Sequence, residues 1–193
     1  MKAWGSMRRK KMIIGLLLLI LGMNPLYLFS QVDEQKLKLV FIERFTQFID
    51  WDISDSTSSE KLKKDFIIGT IGKNEYTNLL SDFFEGREIK GKPVKIITAE
   101  TKEDYLSCNL LLISEIKKAK LQEILKTVAN LPVLTISDRE EYSESGILIT
   151  ICRRDDNLDF YINETALADS GLEVNYLLLE SAKIINPLIK GRP

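Results

Sequence analysis

LLLISEIKKAKLQEILKTVANLPVLTIS (residues 110–137) decides the architecture. Leu110–Ser114 is a short apolar run that reads as a buried strand. Ile116, Leu121, Ile124, Leu125 and Val128 then recur at helical spacing, with Ser114 placed to cap that helix. PVLTIS (residues 132–137) is apolar again and reads as the next strand. Upstream the same order recurs. FIIGTIG (Phe66–Gly72) is a strand, Asn74 caps a helix running to about Glu85, Gly86 to Lys92 is a turn, and PVKIIT (Pro93–Thr98) is a strand opened by its proline.

The flanks differ. Residues 33–51 place Leu37, Val40, Phe41, Phe45, Phe48 and Ile49 on one broad apolar helix face, ending at a polar, turn-rich stretch, Asp52 to Ser59. Downstream, Asp138 to Glu144 is a polar helix or turn and Gly146 punctuates it. GILITICR and LDFYIN are two strands joined by a charged hairpin loop, Arg153 to Asn157. A short helix (Glu164–Asp169) ends at Ser170-Gly171. A last one, about Asn175–Ile185, carries Leu178, Leu179, Ala182 and Ile185 on one side before Pro187. Strand–helix alternation predicts an α/β fold: a Rossmann-like three-layer sandwich, mostly parallel, with a C-terminal antiparallel hairpin.

Chemistry is sparse. The 193-residue chain has no histidine, which removes the commonest general base and metal ligand. Its two cysteines, Cys108 and Cys152, form no CxxC, so no metal site is expected. A disulfide between them, two buried thiols and an intermolecular bridge are the three readings of that pair. After the first strand comes Gly72-Lys73-Asn74-Glu75, not a phosphate loop, and Glu75 would repel a phosphate; no cofactor is expected. The adjacent carboxylates Glu103/Asp104, Glu140/Glu141 and Asp155/Asp156 read as solvated loop and helix-end residues, so no catalytic residue is assigned and the protein is expected not to be an enzyme. A small ligand remains an alternative, in the crevice near Gly72, Thr98 and Ser114. The aromatic stripe Phe41, Phe45, Phe48 and Trp51 reads as core. The best local candidate for a partner surface is Phe160, Tyr161, Ile162 and Asn163, where alternation on a possible edge strand turns one aromatic outward.

The N-terminus reads as an export signal. Arg8 to Lys11 precede the apolar run Met12–Met23, which is short for a span and is followed by Pro25. Cleavage after Ser30 leaves Gln31 first, although Leu28 at the −3 position is not small. This divides the chain into a signal peptide (1–30) and one domain (31–193) placed in the periplasm. Five of the 27 basic residues and none of the 28 acidic ones fall in residues 1–30, so the remainder carries a net charge of −6. That argues against nucleic acid as a partner.

Read as an ordered set, these segments resemble the YfiR-like family. KLVFIERFTQFIDW (38–51) is similar to its phenylalanine-rich opening helix, with Asp52 in place of the usual proline. FIIGTIG, REIKGKPVKI (87–96), CNLLLIS (108–114), LPVLTISD (131–138), LDFYIN (158–163) and SGLEVNYLLLESAKII (170–185) follow in the family's order. Gly69 stands where many relatives carry a cysteine, so a bond from that strand to Cys108 is excluded here. The resemblance implies a non-enzymatic periplasmic regulator. Its partner would be an inner-membrane signalling protein with a periplasmic sensor region, a diguanylate cyclase or sensor kinase, linking it to cyclic di-GMP and biofilm formation. It also implies a homodimer.

Overall fold

The computed structural model describes residues 26–51, 64–72, 76–154 and 157–186, with backbone alone for residues 26–33 and Tyr76. The proposed signal core, the Asp52–Ser59 stretch, the Asn74 cap and the hairpin tip Asp155–Asp156 lie outside them. The chain divides into two units between Leu37 and Lys38, and the second holds the sheet.

In chain order the elements are α1 (Leu26–Phe48), β1 (Ile49–Asp50), β2 (Phe66–Ile71), α2 (Tyr76–Phe84), β3 (Glu88–Ile89), β4 (Lys92–Thr98), α3 (Lys102–Ser107), β5 (Leu110–Ile113), α4 (Lys118–Val128) and β6 (Leu134–Ser137). A 3-10 turn (Glu140–Ser145), β7 (Ile149–Arg154), β8 (Asn157–Asn163), α5 (Glu164–Ser170), β9 (Glu173–Val174), α6 (Tyr176–Ser181) and β10 (Lys183–Ile185) complete it. Eight strands form one sheet in the order β10-β8-β7-β6-β5-β2-β4-β3. Strands β4, β2, β5, β6 and β7 run parallel, and β8 turns back antiparallel on β7. The α/β sandwich with its C-terminal hairpin is therefore the one the strand–helix alternation predicts.

Two apolar layers flank the sheet. On one face Leu39, Ile42, Phe45 and Ile49 of the α1–β1 segment meet Phe66, Ile68, Leu110, Ile136, Ile151 and Phe160. On the other Tyr105, Leu121, Ile124 and Val128 cover Ile71, Leu111 and Ile113. Side-chain alternation along each strand feeds both layers. The second face turns polar toward the C-terminal strands, where Thr135, Ser137, Thr150, Tyr161 and Asn163 occupy the alternate positions.

Several elements differ from expectation. The buried stripe running from α1 into β1 is Leu39, Ile42, Phe45 and Ile49, while Leu37 and Val40 are exposed. The rotation follows from the i, i+3, i+6, i+10 spacing of those four residues. Ser114 does not cap α4. That helix starts at Lys118 with Lys117 as its N-cap, because Glu115 and Ile116 are used in a contact described below. The hairpin loop is shorter than five residues, since Arg154 pairs with Asn157. The last helix stops at Ser181, and Lys183–Ile185 instead form a strand parallel to β8. A second, two-stranded sheet joins Ile49 to Val174 and Asp50 to Glu173.

Candidate functional site

Among the described residues, the chain packs closely on itself at the carboxyl ends of β2 and β5, where the crevice is expected. β2 and β5 are neighbours there, and Ser114 N–H donates to the Ile71 carbonyl (2.9 Å). Gly72 has φ +93°, and a Cβ on it would lie 2.9 Å from the Glu115 carbonyl oxygen and from Ile116 Cγ2. Only glycine tolerates both the left-handed backbone and that approach. Tyr142 locks the loop: its hydroxyl donates to the Ile116 carbonyl (2.8 Å) and accepts from Ile116 N–H (3.1 Å). Removing this hydroxyl breaks both bonds at once. Tyr142→Phe is expected to cost about 1–3 kcal/mol in urea unfolding.

Among the described carboxylates of the three pairs, Asp104, Glu140 and Glu141 are tied into local structure. Asp104 Oδ2 accepts from Thr101 N–H (2.8 Å), Glu100 N–H (3.0 Å) and the Thr101 hydroxyl (2.8 Å), closing a capping box on α3. The Thr101 and Glu100 backbone bonds hold its carboxyl below the ordinary aspartate range. A carboxyl depressed in the folded state stabilises fully above its unfolded pKa. That stabilisation disappears as pH falls through the folded value. Asp104→Asn is therefore expected to flatten the acid limb of the stability profile below about pH 4, checked by thermal melts from pH 2 to 7. Glu141, likewise lowered, bonds its own backbone N–H and pairs with Arg139 (2.8 Å). Glu140 accepts from the Tyr161 hydroxyl (3.0 Å).

Both cysteines are free and buried. Cys108 enters β5 and Cys152 lies in β7, with β6 between them in the sheet, so the disulfide reading is set aside. The Cys108 thiol bonds the Asp104 carbonyl (3.1 Å). Burial, then the Glu140 charge, pushes the Cys152 thiol up, the opposite of what a nucleophile requires.

Phe160, Tyr161, Ile162 and Asn163 are all buried, which removes the premise on which they were picked out. β8 is not an edge strand, because β10 pairs beside it. Phe160 faces α1, with ring centroids 4.9 Å from Phe45 and 6.2 Å from Phe41. Tyr161, on the other face, binds Arg154 and Glu140 and lines a groove of about 770 Å³ with Ile184. Asn163 caps α5 and donates to the Ser143 carbonyl (3.1 Å).

The exposed apolar groups lie elsewhere. Tyr176 is 65% exposed and Leu177 46%, on α6, and Ile184 on β10 is 48% exposed. Leu178 of the same helix is buried. The assignment of Leu178 and Leu179 to the inner side already placed Tyr176 and Leu177 away from it. That periodicity was the available signal. A cavity of about 310 Å³ opens at the amino ends of β6 and β7, opposite the carboxyl ends of those strands.

The fold is an α/β sandwich on a mostly parallel sheet, with apolar residues displayed on its last helix and strand. The chain belongs to the YfiR/HmsC-like family, which matches residues 35–183. That family is associated with periplasmic regulation of diguanylate cyclases and is regulatory and non-enzymatic. No curated protein matches the chain. Among the described residues no helix is long and apolar enough to cross a membrane.

Proposed function

We propose that this chain is exported with a cleaved signal peptide (residues 1–30) and acts in the periplasm. There it binds the sensor region of an inner-membrane diguanylate cyclase or sensor kinase and holds it in one state. Family membership supports the regulatory reading, and the exposed Tyr176 and Leu177 carry the choice of surface. Exposed aromatics beside aliphatic groups are the side chains that anchor protein interfaces. Regulation requires unequal affinity for the partner's two states, since equal affinity shifts nothing. A homodimer belongs to the same proposal.

The test is deletion in the host, complemented with wild type or with the Tyr176→Ala/Leu177→Ala double variant. Both residues are exposed, so the variant is expected to fold and to be exported. If the partner is a cyclase, deletion is expected to raise cyclic di-GMP several-fold, wild type to restore it, and the variant to fail. If it is a kinase, phosphorylation of its response regulator follows the same pattern. Unchanged signals on deletion, with no cyclase or kinase retained from the host's membranes, would sink the proposal.

A further inference from the structure

The cavity at the amino ends of β6 and β7 lies between the C-terminus of α4, the turn at Gly146 and helix α5. Val128, Val133 and Leu148 are buried apolar walls, joined by the half-buried Leu125 and Leu131. At about 310 Å³ it has the size of a small-ligand site.

Its buried polar side chains are already occupied. Thr135 Oγ1 accepts from Leu148 N–H (2.9 Å). Asn163 spends its amide on the Ser143 carbonyl (3.1 Å) and its oxygen on Ala166 N–H (3.0 Å). Ser170 donates to the Leu167 carbonyl (2.8 Å) and accepts from Leu172 N–H (3.1 Å). The donors left are the Thr135 hydroxyl proton and the second Asn163 amide hydrogen, and neither carries a charge.

Charge selects instead. Asp169 lines the cavity and has no hydrogen-bond or ion-pair partner among the described residues. Glu144 is a second carboxylate in the wall, and no lysine or arginine lines it. The eleven-residue helix α4 ends there and adds the partial negative charge of its terminal carbonyls. An apolar pocket whose charged lining is wholly negative repels anions and favours a cation. We propose that it binds a small organic ammonium ion with an aromatic or branched apolar body. The apolar body would lie on Val128, Val133 and Leu148, and the ammonium would pair with Asp169. This goes beyond the regulatory reading and does not depend on it.

The experiment is calorimetric titration of the full chain with 2-phenylethylammonium, and with 3-phenylpropionate as the same body of opposite charge. The expected Kd for the ammonium is about 0.1–1 mM, with the carboxylate at least about tenfold weaker. Asp169→Asn should weaken the ammonium about 3- to 5-fold, as loss of a partly solvated ion pair does. Ala166→Leu, which fills the cavity, should abolish binding. Asp169→Lys alters an exposed side chain, so it reads out charge even where Ala166→Leu fails to fold, and it should also abolish binding. No binding to the folded wild type overturns the site. So do equal affinities for the two probes, or an unchanged Kd in Asp169→Lys.

Discussion

Phe160→Ala is expected to lower the unfolding free energy by about 3–5 kcal/mol, the usual cost of emptying a buried phenylalanine site. Phe160 is 8% exposed, and its ring meets Phe45 at 4.9 Å and Phe41 at 6.2 Å. Phe45 is 2% exposed and sits among the same core residues, so Phe45→Ala is expected to cost a similar amount. The two changes share one cavity and should not add. A double-mutant cycle in urea should give a coupling of about 0.5–1.5 kcal/mol from the aromatic pair. A Phe160→Ala variant that keeps wild-type stability and loses only partner binding would put this strand on the surface and refute the packing described above. The result also governs interface mapping, because an unfolded variant mimics a lost contact.

Gly69→Ala is the second large effect. A Cβ there would stand 2.5 Å from Cys108 Sγ, 2.8 Å from Leu111 Cδ2 and 3.2 Å from Ala99 Cβ. All three neighbours are buried. Overpacking at such a site costs about 1–3 kcal/mol. Cys108→Ala in the same chain should recover part of it by vacating the nearest position. Gly69→Cys should behave differently in oxidant. The new thiol would arise against Cys108, and bonding the two closes a loop of about 40 residues, worth roughly 4 kcal/mol on the chain-entropy estimate. The expected result is a Tm that falls on adding reductant, with only Cys152 titrating as a free thiol beforehand. Three titratable thiols in the unfolded oxidised variant, with a reductant-insensitive Tm, would disprove it. The side chain of Cys108 fills the space a larger residue at position 69 would need, so in this chain the two strands are joined by their hydrogen-bond ladder and by packing, with Cys108 left as a free thiol.

Apolar runs such as Phe66–Ile71 and Leu110–Ile113 were legible because a strand buried on both faces needs no alternation. Lys183–Ile185 was not. Three residues directly after a helix continue its pattern, and only the neighbouring β8 makes them a strand. Ser114 has the chemistry of a cap, yet the tight loop from Gly72 to Tyr142 delays the helix to Lys118. The burial of Phe160, Tyr161, Ile162 and Asn163 was not legible for a related reason. Alternation in LDFYIN identifies two faces but not what covers them, and here α1 covers one and the 3-10 turn borders the other. The separation of Cys108 from Cys152 depends on strand order, which spacing along the chain does not encode.

The small β1–β9 ladder has a consequence for the order of assembly. Ile49 and Asp50 pair with Val174 and Glu173, and Asn175 N–H donates to the Phe48 carbonyl (2.8 Å). The end of the first helix is thus fastened by residues made some 120 positions later. Such a contact raises contact order and slows closure. A chain emerging from the ribosome cannot complete this clasp until nearly all of it has been synthesised.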